Sequence, residues 1–249
     1  MNLPLLLIAS ESGEILFHSG GVRLHDALDA ALRAACMQSP RGLVTVGKAR
    51  AYVKPVQLKG KTYLFFMDFD RLCECYGVSA AERAAEGMFD VSAFSVTGAV
   101  RRSLRALTRM FVDCYKETLA ADGATFEVQG LERDVTVCLP PNAYALCLAL
   151  MIRLAARGGR QVRLSFISSA GCVRVFADCV GGEPLPAKEE TALRVLLAEV
   201  SAAAGFAAEA TPRGSMLVLT PFDDGQLGLK ADLDDRYRKN FRAFAEMFR

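Results

Sequence analysis

The 249-residue chain predicts an α+β protein: a two-layer α/β sandwich, with a mixed sheet covered by helices, behind a small amino-terminal α+β domain. Short apolar runs punctuated by glycine turns fill residues 1–72 around a single helical stripe. Beyond residue 89, longer helical stripes interleave with strand-type runs, without the repeated strand–helix–strand rhythm of a doubly wound sheet. A composition of 52% hydrophobic and 23% charged residues supplies a sizeable core and excludes a disordered chain.

In the first domain, Leu5–Ala9 and Ile15–Phe17 flank the turn Glu11-Ser12-Gly13 and predict a hairpin. Residues 25–37 carry Leu28, Leu32 and Cys36 at helical spacing. Gly42–Val46, Ala51–Val56 and Thr62–Met67 are strand candidates, the last two joined at Lys59-Gly60-Lys61. Residues 73–88 read as a helical connector, with Ser79-x-x-Glu82 as a capping box before an alanine-rich stretch.

The larger domain is expected over 89–222. Val96, Val100, Leu104, Leu107, Phe111 and Cys114 form one face of a long amphipathic helix ended by Gly123. Thr125–Val128 and Val135–Leu139 follow as strands. Asn142 then stands as N-cap of a helix over 143–157, apolar on every side and therefore buried. Val162–Ile167 and Cys172–Ala177 make a hairpin about Ser169-Ala170-Gly171. Gly181-Gly182 and Pro184-x-Pro186 form a loop. Leu193, Leu196, Leu197 and Val200 mark a helix stopped by Gly205, and Ser215–Thr220 closes the domain after the turn Pro212-Arg213-Gly214. Residues 223–249 are a linker and an amphipathic helix with Leu233, Tyr237, Phe241, Phe244 and Phe248 on one stripe. That stripe packs back on the domain or docks a partner; both readings are open.

Composition excludes several function classes. Thirty basic and 28 acidic residues give a net charge of +2, without the basic excess of a nucleic-acid binder. No apolar run reaches the length of a transmembrane helix, and the Leu3–Ala9 run lacks the preceding positive charge of a secretory signal, so a cytoplasmic protein is expected. The eight cysteines contain no C-x-x-C pair; Cys73-x-Cys75 has the wrong spacing for zinc, and no metal site is expected. The two histidines, His18 and His25, have no placed nucleophile, so no catalytic residue is assigned. Arg101, Arg102, Arg105 and Arg109 form a basic face on the first long helix, either solvated or available to an acidic partner.

The strand order of residues 1–72 resembles a shortened sensory domain of the PAS type, which leaves room for a ligand-sensing role. From residue 88 to 222 the order of pieces resembles the ATP-binding domain of sensor histidine kinases, the GHKL or Bergerat-type ATPase fold. Phe89-Asp90-Val91-Ser92-Ala93-Phe94 is similar to the family's approach to its first helix, and Asn142 to Arg157 to its asparagine-bearing helix. Phe176 to Pro184 is similar to the segment with the D-x-G-x-G loop; Leu193 to Gly205, with Gly214 to Pro221, is similar to the closing helix and strand. The resemblance implies ATP with magnesium as cofactor, Asp178, Gly181 and Gly182 as the nucleotide-binding residues, and a signalling protein or a second copy as partner.

Much of the family's chemistry is missing from the matching positions. Leu154 stands where the magnesium-holding asparagine belongs, although a hard cation needs oxygen. Val180 replaces the first glycine of the D-x-G-x-G loop, and Thr191-Ala192-Leu193-Arg194 replaces the G-x-G-L turn. Eight residues between Gly182 and Thr191 are too few for a lid, and the phosphoacceptor histidine has no candidate. The expectation is a non-catalytic partner-binding module; the alternative is a divergent ATP-binding phosphotransferase acting in trans.

Overall fold

The computed structural model describes residues 3–20, 26–90, 98–119, 125–155, 161–181, 183–211, 214–222 and 235–248. His25, Val91–Val96, Gly123, Arg157, Gly182, Pro212, Arg213 and Leu233 lie outside them. Contacts divide the chain into two compact units, Met1–Asp90 and Val91–Arg249.

The first unit is a five-stranded antiparallel sheet. Strands β1 (Leu6–Ser10), β2 (Ile15–His18), β3 (Gly42–Val46), β4 (Ala49–Leu58) and β5 (Lys61–Asp68) lie in the order β2-β1-β5-β4-β3. Strand alternation gives the sheet two apolar faces. Leu7, Ala9, Val53, Leu64 and Phe66 form one core with Leu28, Leu32 and Cys36 of α1 (Asp26–Cys36). Phe65, from the opposite parity of β5, stacks on Phe89 with ring centroids 4.7 Å apart.

A helical connector is expected over 73–88, and the helices there begin earlier, at Phe69. Helices α2 (Phe69–Tyr76) and α3 (Val78–Met88) pack against β4 of this same unit. The Asp68 carboxylate caps α2 by accepting from the Asp70 and Arg71 amides at 3.1 and 3.2 Å. Ser79 is not a cap: α3 starts at Val78, with Gly77 (φ 80°) at its N-cap, because a glycine takes the positive φ that turns the chain between the helices.

In the second unit, strands β7 (Thr125–Gln129), β9 (Gln161–Ser169), β10 (Cys172–Val180), β11 (Ala207–Thr211) and β12 (Gly214–Leu219) form a mixed sheet ordered β11-β12-β10-β9-β7. β7 runs parallel to β9 and the other pairs are antiparallel. A two-stranded ribbon joins β6 (Val100–Ser103) to β8 (Thr136–Leu139). Helices α4 (Leu104–Leu119), α5 (Pro141–Ala155), α6 (Ala187–Ala203) and α7 (Asp235–Met247) complete the unit. α5 touches β10, β12, α4, α6 and α7, and every residue from Ala143 to Arg153 is buried. A mixed sheet covered by helices is therefore present.

Three boundaries depart from the sequence reading. The first long helix starts at Leu104, because Val100–Ser103 pair with Leu139–Thr136 as a strand. Ser103 Oγ accepts from the Ala106 amide at 3.0 Å and ends that strand as the helix cap, while Asp134 holds the Arg105 amide at 3.2 Å. Arg101 and Arg102 consequently leave the helix face, and the Arg101 guanidinium lies 4.2 Å from the Phe222 ring centroid. Asn142 is inside α5, whose first residue is Pro141, a position where the missing N–H costs nothing. Finally, β11 is a strand in alanine-rich sequence that carries no strand signal.

α6 stops as expected. Gly205 (φ 76°) follows its last turn, with the Phe206 amide donating to Ser201 O at 2.8 Å and the Gly205 amide to Ala202 O at 3.1 Å. The carboxyl-terminal helix packs on its own unit: α7 lies against α4 and α5, with Phe241, Phe244 and Phe248 fully buried. Among the described residues no helix is long and apolar enough to cross a membrane.

Candidate functional site

The candidate nucleotide residues occupy three elements: the last turn of α5, the end of β10 and the first turns of α6. Burial along β10 alternates, with Val173, Val175 and Ala177 buried toward the helices. Asp178 therefore shares the opposite face with Arg174 and Phe176. There it lies opposite Arg163, which lies opposite Glu127 and bonds to its Oε2 at 3.0 Å. A charged row Glu127–Arg163–Asp178 thus crosses three strands on the outer face. Leu154 is on α5, on the other side of the sheet. A nucleotide lodged against α5 would meet Leu154 and have the sheet between itself and Asp178.

Gly181 follows β10 with φ 79°, and a Cβ there would meet nothing within 4 Å. Its glycine is required by the turn and not by the close approach of another group. Gly182 is outside the described residues. Residues 181–186 join β10 directly to α6.

α6 begins at Ala187, so Thr191-Ala192-Leu193-Arg194 is already its second turn. The amides there are intrahelical donors, and Thr191 Oγ1 donates back to Ala187 O at 2.7 Å. The free amides of α6 belong to its first turn, which follows Pro186 and contains Glu189 and Glu190. Glu189 is 9% exposed, as is Arg153 in the last turn of α5. Arg153 donates to Glu189 Oε1 through Nε at 3.1 Å and through a terminal nitrogen at 2.7 Å.

This pair was not singled out in the sequence, yet a signal existed. Arg153 is the one charged residue in the apolar stretch 143–155, and a charge placed there needs a partner. The pair supplies an internal substitute for a bound anion. A helix amino terminus and a guanidinium are the groups that hold a phosphate; here the guanidinium is engaged by Glu189, which also puts a carboxylate in the first turn of α6.

The residues present do not suit a magnesium triphosphate. The asparagine on α5, Asn142, accepts from Asn240 of α7 at 3.1 Å through its Oδ1. Among the described residues no group of three or more His, Cys, Asp or Glu is arranged to hold a metal ion. Burial pushes the Cys147 thiol of α5 up from its ordinary value, and the Cys179 thiol as well, so neither is an activated nucleophile. His18 closes locally, its Nδ1 3.1 Å from Ser19 O.

No family model matches the chain, and no curated protein matches it. Solved structures that it resembles include the catalytic domain of histidine kinase ThkA, at 14% identity and a TM-score of 0.38 over 49% of this chain and 95% of that one. The ATP-binding domain of PrrB from Mycobacterium tuberculosis gives 20% identity and a TM-score of 0.34 over 50% and 96% of the two chains. ThkA solved in complex with the response regulator TrrA gives 11% identity and a TM-score of 0.38, over 88% of this chain and 95% of that one.

Proposed function

We infer that this chain is a signalling protein whose second unit uses a histidine-kinase-like ATPase fold as a partner-binding scaffold, without phosphotransfer. The buried Arg153–Glu189 pair carries the reading. A phosphate arriving at the start of α6 would have to displace a carboxylate already satisfied by a buried guanidinium. The short connection 181–186, the leucine at position 154 and the outward face of Asp178 support the same conclusion. The antiparallel order β2-β1-β5-β4-β3 supports a PAS-like sensory role for the first unit.

Thermal denaturation with ATP or ADP, with and without magnesium, tests the reading. A specific ligand at 100 times its Kd stabilises by about 2.7 kcal/mol. For a unit of this size that corresponds to about 5–10 °C in Tm. No shift is expected. A magnesium-dependent shift that Asp178→Asn abolishes would establish a divergent nucleotide site and remove the non-catalytic reading.

A further inference from the structure

A cavity of about 520 Å³ opens along α4 in the second unit, far in sequence from the α5–α6 pair. Val112, Val128 and Leu131 give it an apolar floor, and Arg105, Arg109 and Lys116 line it from α4. The three cations stand at steps of four and seven residues, which places them along one helix face. At 1.5 Å per residue they span about 16 Å.

Several surface cations elsewhere are committed to carboxylates. Arg33 pairs with Asp29, Arg50 with Asp70, Arg163 with Glu127, and Arg242 with Glu117. Arg105 is held by the Glu132 carbonyl. Arg109 and Lys116 are exposed and, among the described residues, have no hydrogen-bond or ion-pair partner. With a net charge of +2 on the whole chain, this pair of free cations over an apolar floor is a local feature and not the result of general basicity.

We propose that the α4 groove is a docking site for an acidic protein segment in which carboxylates alternate with apolar side chains. An extended segment places side chains of one face about 7 Å apart, and the long side chains of Arg109 and Lys116, about 10 Å apart along α4, can reach two successive carboxylates of that face. Its carboxylates meet the α4 rim while the alternate apolar side chains cover Val112, Val128 and Leu131. The opposite rim carries Glu132, and Asp113 interrupts the α4 cations between Arg109 and Lys116, so the groove mixes both signs with cations in excess. The interleaved carboxylates disfavour a nucleic acid, whose phosphates repeat uniformly and would leave the apolar floor unused; no aromatic ring on which a base could stack is among the lining residues.

This site names the partner chemistry for the scaffold reading, but it involves none of the α5–α6 residues. A nucleotide shift would overturn the one without touching the other. Fluorescence polarisation of a labelled peptide of about eight residues alternating Glu and Leu, titrated with the full chain, tests the site. Saturable binding is expected, weakened about tenfold or more by Arg109→Glu with Lys116→Glu and weakened further by salt. Lys59→Glu, at a hairpin tip of the first unit, is the matched surface charge control and leaves binding unchanged. Absence of binding, equal binding of a Lys–Leu peptide, or binding indifferent to the double reversal would each overturn the proposal. So would tighter binding of a single-stranded oligonucleotide through the same two residues. Circular dichroism of the charge-reversed chain establishes that it remains folded.

Discussion

Replacing Glu189 by glutamine tests the internal pair most directly. The change keeps side-chain volume and one acceptor oxygen but removes the charge facing Arg153, 2.7 Å away. At that separation and an effective dielectric near 20, the gross attraction is about 6 kcal/mol. Desolvation of two groups that are each 9% exposed offsets much of it. What the substitution leaves behind is a buried, under-compensated guanidinium, which costs about 3–5 kcal/mol. The loss expected for Glu189→Gln is thus about 3 kcal/mol in the second unit.

Hydrogen exchange of α5 amides, followed by mass spectrometry, is the suitable assay, because it reads the opening of the second unit without requiring both units to unfold together. Glu189→Gln should lower that opening free energy by about 3 kcal/mol. Arg153→Met combined with Glu189→Leu should restore most of it, since an apolar pair of similar volume carries no desolvation cost. A change below about 0.5 kcal/mol in the single variant would refute the argument. It would mean that water reaches the pair, and that the start of α6 remains open to an outside anion.

Other consequences are simpler to check. Phe244 is fully buried where α7 meets α4 and α5, so Phe244→Ala should cost about 3–5 kcal/mol by thermal denaturation, whereas exposed Lys239→Ala should be nearly neutral. Gly130 has φ 82°, and a Cβ there would stand 1.9 Å from Phe166 O of β9; Gly130→Ala should therefore prevent stable folding. Gly171→Ala, at φ 81° with open space, should cost only about 1 kcal/mol in the same denaturation series. Asp68→Ala removes the α2 cap and should cost about 1 kcal/mol, while Asp68→Asn keeps it. Burial raises the Asp68 carboxyl above its ordinary 3.8, so the folded state holds its proton more tightly than the unfolded state. Its favourable contribution is complete below pH 3.8 and is lost as the pH rises through the raised value; the Asn variant should lack that decline in denaturation midpoints.

Much of the architecture was legible because local patterns agreed with the tertiary fold. Ser169-Ala170-Gly171 marks the β9–β10 hairpin, and Gly171 takes the positive φ the turn needs. The aromatic stripe of α7 and the all-round apolarity of α5 correspond to surfaces that are covered. The departures arise where two periods fit the same residues. Val100 to Leu104 is a helical step, yet Val100 pairs with Leu139 and Ser103 caps the helix that follows. Asp68 reads as the end of a strand, but its carboxylate starts α2, whose exposed face hides it from an apolar count. β11 is made by its pairing with β12, which no alanine-rich window encodes. The same limit applies to the site: sequence aligns Asp178 with a nucleotide ligand, whereas strand parity decides the face it occupies.

Leu154 stands on the last turn of a helix otherwise given over to the core. α5 lies against β10 and β12 on one side and α6 and α7 on others, so its residues are selected for apolar packing, and its asparagine is committed to Asn240. Leu154→Asn would add one oxygen ligand on the half-buried last turn of this helix. It would leave the Glu189 carboxylate at the start of α6 and the guanidinium of Arg153 engaged with it. A magnesium triphosphate would still lack a place for its phosphates, so calorimetric titration of Leu154→Asn with ATP and magnesium should release no binding heat. Binding in that single variant would show that one side chain separates this fold from nucleotide chemistry. The expected silence is what the engaged α5–α6 pair requires, and a chain that also loses Glu189 would test how far that pair alone holds phosphate away.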